Sequence, residues 1–282
     1  MSGTLYVIAT PIGNLEDISE RAVRLLNQVD LVAAEDTRHS GKLLRHLGVH
    51  KPLLSVHEHN EQQQSERLLE LLATGSNIAL ISDAGTPLVS DPGYRLVQAA
   101  RRAGFEVSPI PGPSSVIAAL SAAGLPTDRF SFEGFLPAKS GARLKALAAL
   151  ASDPRTMVFF ESPRRVLATV ADMVSVFGPA REAAVARELT KAFETIHTAP
   201  LGKLLDWLTA DPDQQRGEFV LLVAGYRPAA DKAEESVEAE RVLGILLAEL
   251  PVKQAVSLAA ELTGQPRNKL YELALRQAEG SP

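Results

Sequence analysis

The 282-residue chain has no cysteine. That excludes a disulfide framework, a thiolate nucleophile and a Cys-ligated zinc site, and it fits a reducing, cytoplasmic location. The opening residues, MSGTLYVIATPIGN, lack a basic segment followed by a long apolar core, so no secretory signal is expected. Apolar runs are short. FVLLVAG (219–225) and IALI (78–81) have the length of buried strands, well under the roughly 18 residues of a membrane span, so no membrane association is expected. G-x-G-x-x-G does not occur, and Gly41-Lys42 and Gly202-Lys203 are each followed by Leu, so the dinucleotide and P-loop fingerprints are missing. H-E-x-x-H and G-x-S-x-G are absent too. His57-Glu58-His59 is the nearest approach to a metal site; it has no evident third ligand, reads as a solvated loop, and no metal is expected. The rest is ordinary globular composition, 45% apolar and 22% charged with a net charge of −5.

Short β-rich runs alternate with helical patterns, which predicts an α/β fold with largely parallel strands. The strands are expected at 4–9, 31–35, 77–82, 105–110, 130–135, 156–161, 182–188 and 218–224. Helices are expected near 19–28, 37–47, 61–74, 93–103, 114–123, 140–151, 163–176 and 200–210. The rhythm restarts after Gly124-Leu125-Pro126-Thr127-Asp128, giving one α/β domain over 1–122 and another over 123–228. AADKAEES (229–236) reads as a linker, and 237–282 as a small all-α extension. In that extension Val252, Ala255, Val256, Ala259 and Leu262 recur at helical spacing, Gly264 follows as a C-cap, and Pro266 precedes another helical stretch. This is the pattern of a helix-turn-helix, or of a plain helical cap.

Three Gly/Pro-rich loops each follow an expected strand: 9–14 (ATPIGN), 82–93 (SDAGTPLVSDPG) and 109–115 (PIPGPSS). Ligands of open α/β sheets bind outside the carboxyl ends of strands, where three such loops can converge on one crevice. Glycine admits close approach of a ligand to the backbone, and the helix opened by Ser114 and Ser115 offers free N–H groups to a carboxylate. Singly, each loop is an ordinary turn; the second is longer and more polar than a turn needs.

Charge is uneven. Residues 139–191 hold nine Lys/Arg against five Asp/Glu, +4, leaving −9 for the remainder. A basic second domain suits a polyanionic substrate, the alternative being a solvated basic face. Acid and base also gather at three strand ends, in EDTR (35–38), ESPRR (161–165) and RELTK (187–191), where α/β enzymes place catalytic groups and where caps and surface ion pairs use the same residue types.

These segments, with TPIGNLEDIS (10–19), FFESPRR (159–165) and the GE-x-x-LLV-x-G ending (217–225), resemble the small-subunit ribosomal RNA 2′-O-ribose cytidine methyltransferases of the tetrapyrrole-methylase superfamily. The resemblance runs from residue 4 to residue 276 and implies two α/β domains with S-adenosylmethionine in the cleft between them, plus the helical tail. It further implies a homodimer acting on a decoding-centre cytidine of 16S RNA. By position, it implies cofactor contacts at Pro11, Ile12, Asp83, Ala84, Gly85, Thr86, Val89, Ser114, Ser115, Phe160 and Phe219. The superfamily's usual Gly-Asp-Pro is Gly85-Thr86-Pro87 here, which leaves open whether Asp83 or Thr86 replaces its acidic contact.

Methyl transfer to a ribose hydroxyl needs alignment, and a base or a cation to manage the departing proton. The candidates are Asp36, Glu161 and Glu188 as bases and Arg38 and Arg164 as cations. RNA contacts are expected from Lys139, Arg143, Lys145, Arg165 and Lys191, and from Arg267, Lys269 and Arg276 of the tail. Two rival readings are a small-molecule methylase of the same fold and a module that binds nucleotides or RNA without chemistry.

Overall fold

Val, Ile, Leu and Ala fill the short strands of the first 110 residues so completely that both faces of their sheet must be covered. A computed structural model shows how. It describes residues 2–57, 59–227 and 229–279, so Glu58 of the His57–His59 motif and the Arg276 side chain lie outside the described residues. The first layer runs β1 (Thr4–Ile8), α1 (Glu20–Gln28), β2 (Leu31–Ala34), α2 (Thr37–His46), β3 (Leu53–Ser55), α3 (Glu61–Ala73), β4 (Ile78–Ile81), α4 (Tyr94–Arg102) and β5 (Glu106–Ile110). All four pairings of the sheet, ordered β3-β2-β4-β1-β5, are parallel. On one face Ile8, Val32 and Ile81 pack under Leu26 of α1 and Leu44 of α2. On the other, Leu5, Ala33 and Leu80 pack under Leu68 of α3 and Leu96 of α4.

The second layer contains β6 (Phe130–Phe135), α6 (Ser140–Ala149), β7 (Thr156–Glu161), α7 (Val166–Phe177), β8 (Glu182–Arg187), β9 (Thr195–Pro200), α8 (Leu201–Ala210) and β10 (Phe219–Val223). Its sheet is ordered β6-β7-β10-β8-β9. Here the expectation of parallel strands gives way: only β6 and β7 run parallel, and the other three pairings are antiparallel. The connection from β8 to β9 spans only residues 188–194, far short of the dozen or so residues a parallel crossover needs. Helices α6, α7 and α8 cover one face through Leu147, Met173 and Leu204. The other face is covered by α5 (Ser115–Ala122), whose Val116, Ala119 and Leu120 pack on Val158, Ala184 and Val220. The last helix before the expected boundary at 122 therefore packs on the second sheet, and residues 1–224 form one compact unit.

Residues 225–282 form the other unit. Its helices are α9 (Ala229–Glu249), α10 (Val252–Thr263) and α11 (Arg267–Glu279). They share a core of Ala239, Leu243, Ala255, Val256, Ala259, Leu270 and Ala274. Gly264 caps α10 in the left-handed conformation its sequence position suggested (φ +69°). The stretch 229–236, expected as a linker, is the start of α9. Ala, Lys and Glu read as linker residues by polarity but are among the best helix formers. No helix among the described residues is long and apolar enough to cross a membrane.

Candidate active site

The loop at 82–93 is stitched to both of its expected companions. Thr10 N–H donates to the Gly85 carbonyl (2.9 Å) and Gly85 N–H to the Thr10 carbonyl (3.0 Å), while the buried Thr10 hydroxyl donates to the Ser82 carbonyl (3.1 Å). The Thr86 hydroxyl donates to the Pro113 carbonyl (3.0 Å), joining the third loop. Gly85 has φ +80°, and a Cβ there would lie 3.3 Å from Cγ2 of Ile12, so glycine meets both a backbone and a space requirement. At the far end of the loop, α4 has no side-chain cap of its own. Glu61, buried on α3, supplies one by accepting from Gly93 N–H (3.1 Å) and Arg95 N–H (2.8 Å).

Four non-glycine residues among those described adopt positive φ: Leu88 (73°), Ser90 (67°), Glu188 (50°) and Thr190 (65°). Two lie in the 82–93 loop and two in the segment after β8. A left-handed L-residue costs on the order of 1–2 kcal/mol, so surrounding bonds must hold these conformations in place.

Between the loops and the second sheet lies a cavity of about 290 Å³. Ile12, Ala84, Gly85, Thr86, Val89, Ser90, Asp91, Ser114 and Ser115 form one side. Phe135, Phe160, Glu161, Ala186, Leu189, Glu218, Phe219 and Val220 form the other. Nine of the eleven expected cofactor contacts therefore line one cavity; Pro11 and Asp83 do not. Asp83 turns toward the end of β2, where its Oδ1 accepts from Asp36 N–H (3.2 Å). With Thr86 bonded to Pro113, the acid that this loop presents to the cavity is Asp91. Burial pushes the Asp91 carboxyl above its ordinary range; a hydrogen bond from Ser82 opposes that shift and the Asp83 charge adds to it. Ser114 stands at the start of α5 without making a side-chain cap, which leaves that helix's first-turn N–H groups for an anion. Gly112 lines an adjoining apolar groove of about 550 Å³ rather than the cavity.

The pattern of the Tetrapyrrole (Corrin/Porphyrin) Methylases matches residues 4–205, and that of the RsmI C-terminal HTH domain matches residues 233–278. Over 278 residues the chain is 56% identical to a Ribosomal RNA small subunit methyltransferase I from Pseudomonas aeruginosa, with 98% of both chains covered. The chain belongs to the tetrapyrrole methylase family, in its ribosomal RNA small subunit methyltransferase I branch. A relative of the same name from Escherichia coli O157:H7 is 54% identical over 275 residues, which is 98% of this chain and 96% of that one. The crystal structure of the Thermus thermophilus uroporphyrin-III C-methyl transferase complexed with S-adenyl homocysteine shares the fold (TM-score 0.55, 18% identity). That likeness covers 79% of this chain and 97% of the other. The family match also resolves the two readings of the tail in favour of a helix-turn-helix.

In this methyltransferase the candidate catalytic residues separate. Only Glu161 lines the cavity, and its carboxylate is fully engaged: Ser162 N–H (2.7 Å), the Thr169 hydroxyl (2.7 Å) and the Arg165 guanidinium (2.7 Å) all bond to it. Arg165 also donates to the Leu136 carbonyl (3.2 Å), so the pair ties the end of β6 to the end of β7. Glu188 accepts from Lys191 (3.0 Å) and Glu218 N–H (2.8 Å). Burial works against its charge, yet those two donors hold its carboxyl below the ordinary range. Asp36 caps α2 through Arg38 N–H (2.8 Å) and pairs with the exposed Arg38 guanidinium (3.2 Å). Arg164 is exposed and makes no side-chain bond among the described residues.

The expected RNA contacts need correction as well. Arg143 is buried, with its side chain 4% exposed, and bonds to Asp172 at 2.6 Å. It lies on the inner face of α6, where hydration is lost and a carboxylate must replace it. Arg165 is committed to Glu161, and Lys191 bridges Glu188 and Glu218 (2.8 Å). Lys139 and Lys145 are exposed without partners among the described residues. Arg267 donates to the Ser257 hydroxyl (3.0 Å) and Lys269 to Gln265 (3.3 Å), both remaining exposed. The reading from sequence passed over Ser90, Asp91, Phe135, Leu189 and Glu218. Gly134 inside the strand pattern FSFEGF was the available signal for Phe135, because a glycine within a strand marks a bulge.

Proposed function

We propose that this protein methylates the 2′-hydroxyl of a cytidine ribose in the 16S RNA of the small ribosomal subunit, using S-adenosylmethionine, as a homodimer in the cytoplasm. One observation carries the reading: the likeness to relatives named for small-subunit ribosomal RNA spans the whole chain, including the helix-turn-helix tail. The uroporphyrin-III C-methyl transferase that shares the fold is matched over 97% of its own length by only 79% of this chain, which supports a larger substrate here.

The cavity residues fit the cofactor. The first-turn N–H groups of α5 suit its carboxylate, Gly85 admits close backbone approach, and Ile12, Phe160 and Phe219 offer apolar walls to its adenosine. When bound, the cofactor supplies an electrophilic methyl on a sulfonium. The chain's own task is to align the acceptor hydroxyl and take its proton. Asp91 is the acid placed for that: it faces the cavity, and its raised carboxyl makes it a stronger base than an ordinary aspartate. Asp36, Glu161, Glu188 and the cavity-lining Glu218 are each paired with an Arg or Lys side chain instead.

The test is incubation with methyl-labelled S-adenosylmethionine and purified small ribosomal subunits, followed by nuclease digestion to locate the label. Label on a cytidine 2′-oxygen is expected. Asp91→Asn is expected to lower turnover about 10²–10⁴-fold and to abolish an acid limb lying above the ordinary aspartate range, with cofactor affinity kept. Label in a tetrapyrrole acceptor, with none in subunits or free 16S RNA, overturns the reading.

A further inference from the structure

The end of β6 is built in an unusual way. Its pairing with β7 slips between Phe132 and Gly134, and Gly134 sits at φ +67°. In a regular strand residues three apart point to opposite faces. Here Phe132 and Phe135 both meet the Phe160 ring edge-on, with centroids 4.8 and 5.5 Å away, so the bulge has turned Phe135 onto the face of Phe132. Phe135 lines the cavity and remains 56% exposed, whereas Phe219, on the same side of the cavity, is 3% exposed. The next residue is fixed by the Glu161–Arg165 clamp, through the bond from Arg165 to the Leu136 carbonyl. That bond also brings together the segments bearing Lys139 and Arg164, two of the exposed cations that make no side-chain bond among the described residues.

We infer that Phe135 is the stacking platform for an unpaired nucleobase at the mouth of the cavity, with Lys139 and Arg164 taking the adjoining phosphates. This rests on the RNA reading above. A ring more than half exposed at the cavity, with free cations on the two segments joined at its base, offers a nucleotide both a stacking face and charge for its phosphates. An exposed aromatic face beside free cations is the chemistry that holds single-stranded RNA. The bulge and the clamp fix the ring in advance, so little ordering is left to the binding step. Glu161 and Arg165 are thus positioning residues, acting through the backbone at 136.

The experiment compares wild type with Phe135→Ala, Phe135→Leu and Phe135→Tyr. It measures S-adenosylmethionine affinity by calorimetry and methylation of small ribosomal subunits at saturating cofactor. Phe135→Ala and Phe135→Leu are expected to lower kcat/KM for subunits by about 5- to 150-fold, the range for losing one base–aromatic stack. Phe135→Tyr is expected to keep it within threefold, all with cofactor affinity and melting temperature unchanged. Equal activity of wild type and Phe135→Leu overturns the inference, and so does a loss of cofactor affinity that matches the loss of activity. If wild type itself leaves subunits unlabelled, the RNA reading has failed rather than this one.

Discussion

Replacing Asp172 with Ala takes the carboxylate away from Arg143, whose side chain is 4% exposed in the intact pair, and leaves the Ala138 carbonyl (3.3 Å) as its one bonded neighbour among the described residues. Breaking a buried pair from one side costs about 3–5 kcal/mol, because the surviving charge cannot regain its water. For a unit of this size, each kcal/mol moves the melting temperature by about 2–4 °C, so Asp172→Ala should melt about 6–20 °C lower. The converse change is milder. Arg143→Met keeps the apolar stem, and Asp172, with its side chain 17% exposed, retains the Ser140 hydroxyl (3.1 Å) and access to solvent. About 1–2 kcal/mol is expected there, and the double change Arg143→Met with Asp172→Leu should recover most of it. Thermal denaturation followed by circular dichroism reads all three. Binding to small ribosomal subunits across a salt series should match wild type for Arg143→Met. An unchanged melting temperature together with weakened, less salt-dependent binding would refute this reasoning and return Arg143 to the RNA surface.

Other outcomes follow from the same geometry. Changing Lys139, Lys145 and Arg164 together to Ala should weaken subunit binding and flatten its dependence on salt by about 0.7–0.9 for each phosphate no longer neutralised; an unaltered slope removes these residues from the interface. Gly85→Val sets a β-branched side chain at φ +80° against Ile12 and should abolish cofactor binding measured by calorimetry; retained affinity means that the loop does not touch the cofactor. Removing residues 229–282 should spare cofactor affinity, since the cavity lies wholly within residues 1–224, and should impair methylation of subunits. Methylation at the parental rate by the truncated chain shows that the tail is dispensable.

The fold was legible where local chemistry and tertiary packing agree. The eight expected strands recur within a residue or so because each is an apolar run bounded by turn residues. β3 has three residues and is preceded by Pro52, leaving no periodicity to detect; β9, polar in sequence and half-buried on an edge, reads as a loop. The cavity was legible for a similar reason, since Gly and Pro at strand ends report backbone shape directly. Charged side chains reported much less. Nine Lys/Arg in 139–191 made a plausible basic face, but Arg143, Arg155, Arg165 and Lys191 are each neutralised by a carboxylate, and the buried Arg187 bonds to the carbonyls of Arg216 (2.6 Å) and Phe193 (3.2 Å). Which cation meets an acid depends on contacts between distant elements, and composition counts both alike.

The same distinction explains why Asp91 escaped notice although its loop did not. Asp83 and Asp91 sit in one motif, SDAGTPLVSDPG, and nothing local tells them apart. Two left-handed residues, Leu88 and Ser90, turn the chain between them, while Asp36 N–H draws Asp83 toward β2. Asp91 is left on the cavity wall, with the following residues held by Glu61 from α3. Neither Asp36 nor Glu61 is near this loop in sequence. The strain at Leu88 and Ser90, on the order of 1–2 kcal/mol each, is therefore sustained by bonds from two distant elements. What those bonds maintain is the difference between a carboxylate that braces the loop and one that lines the cavity.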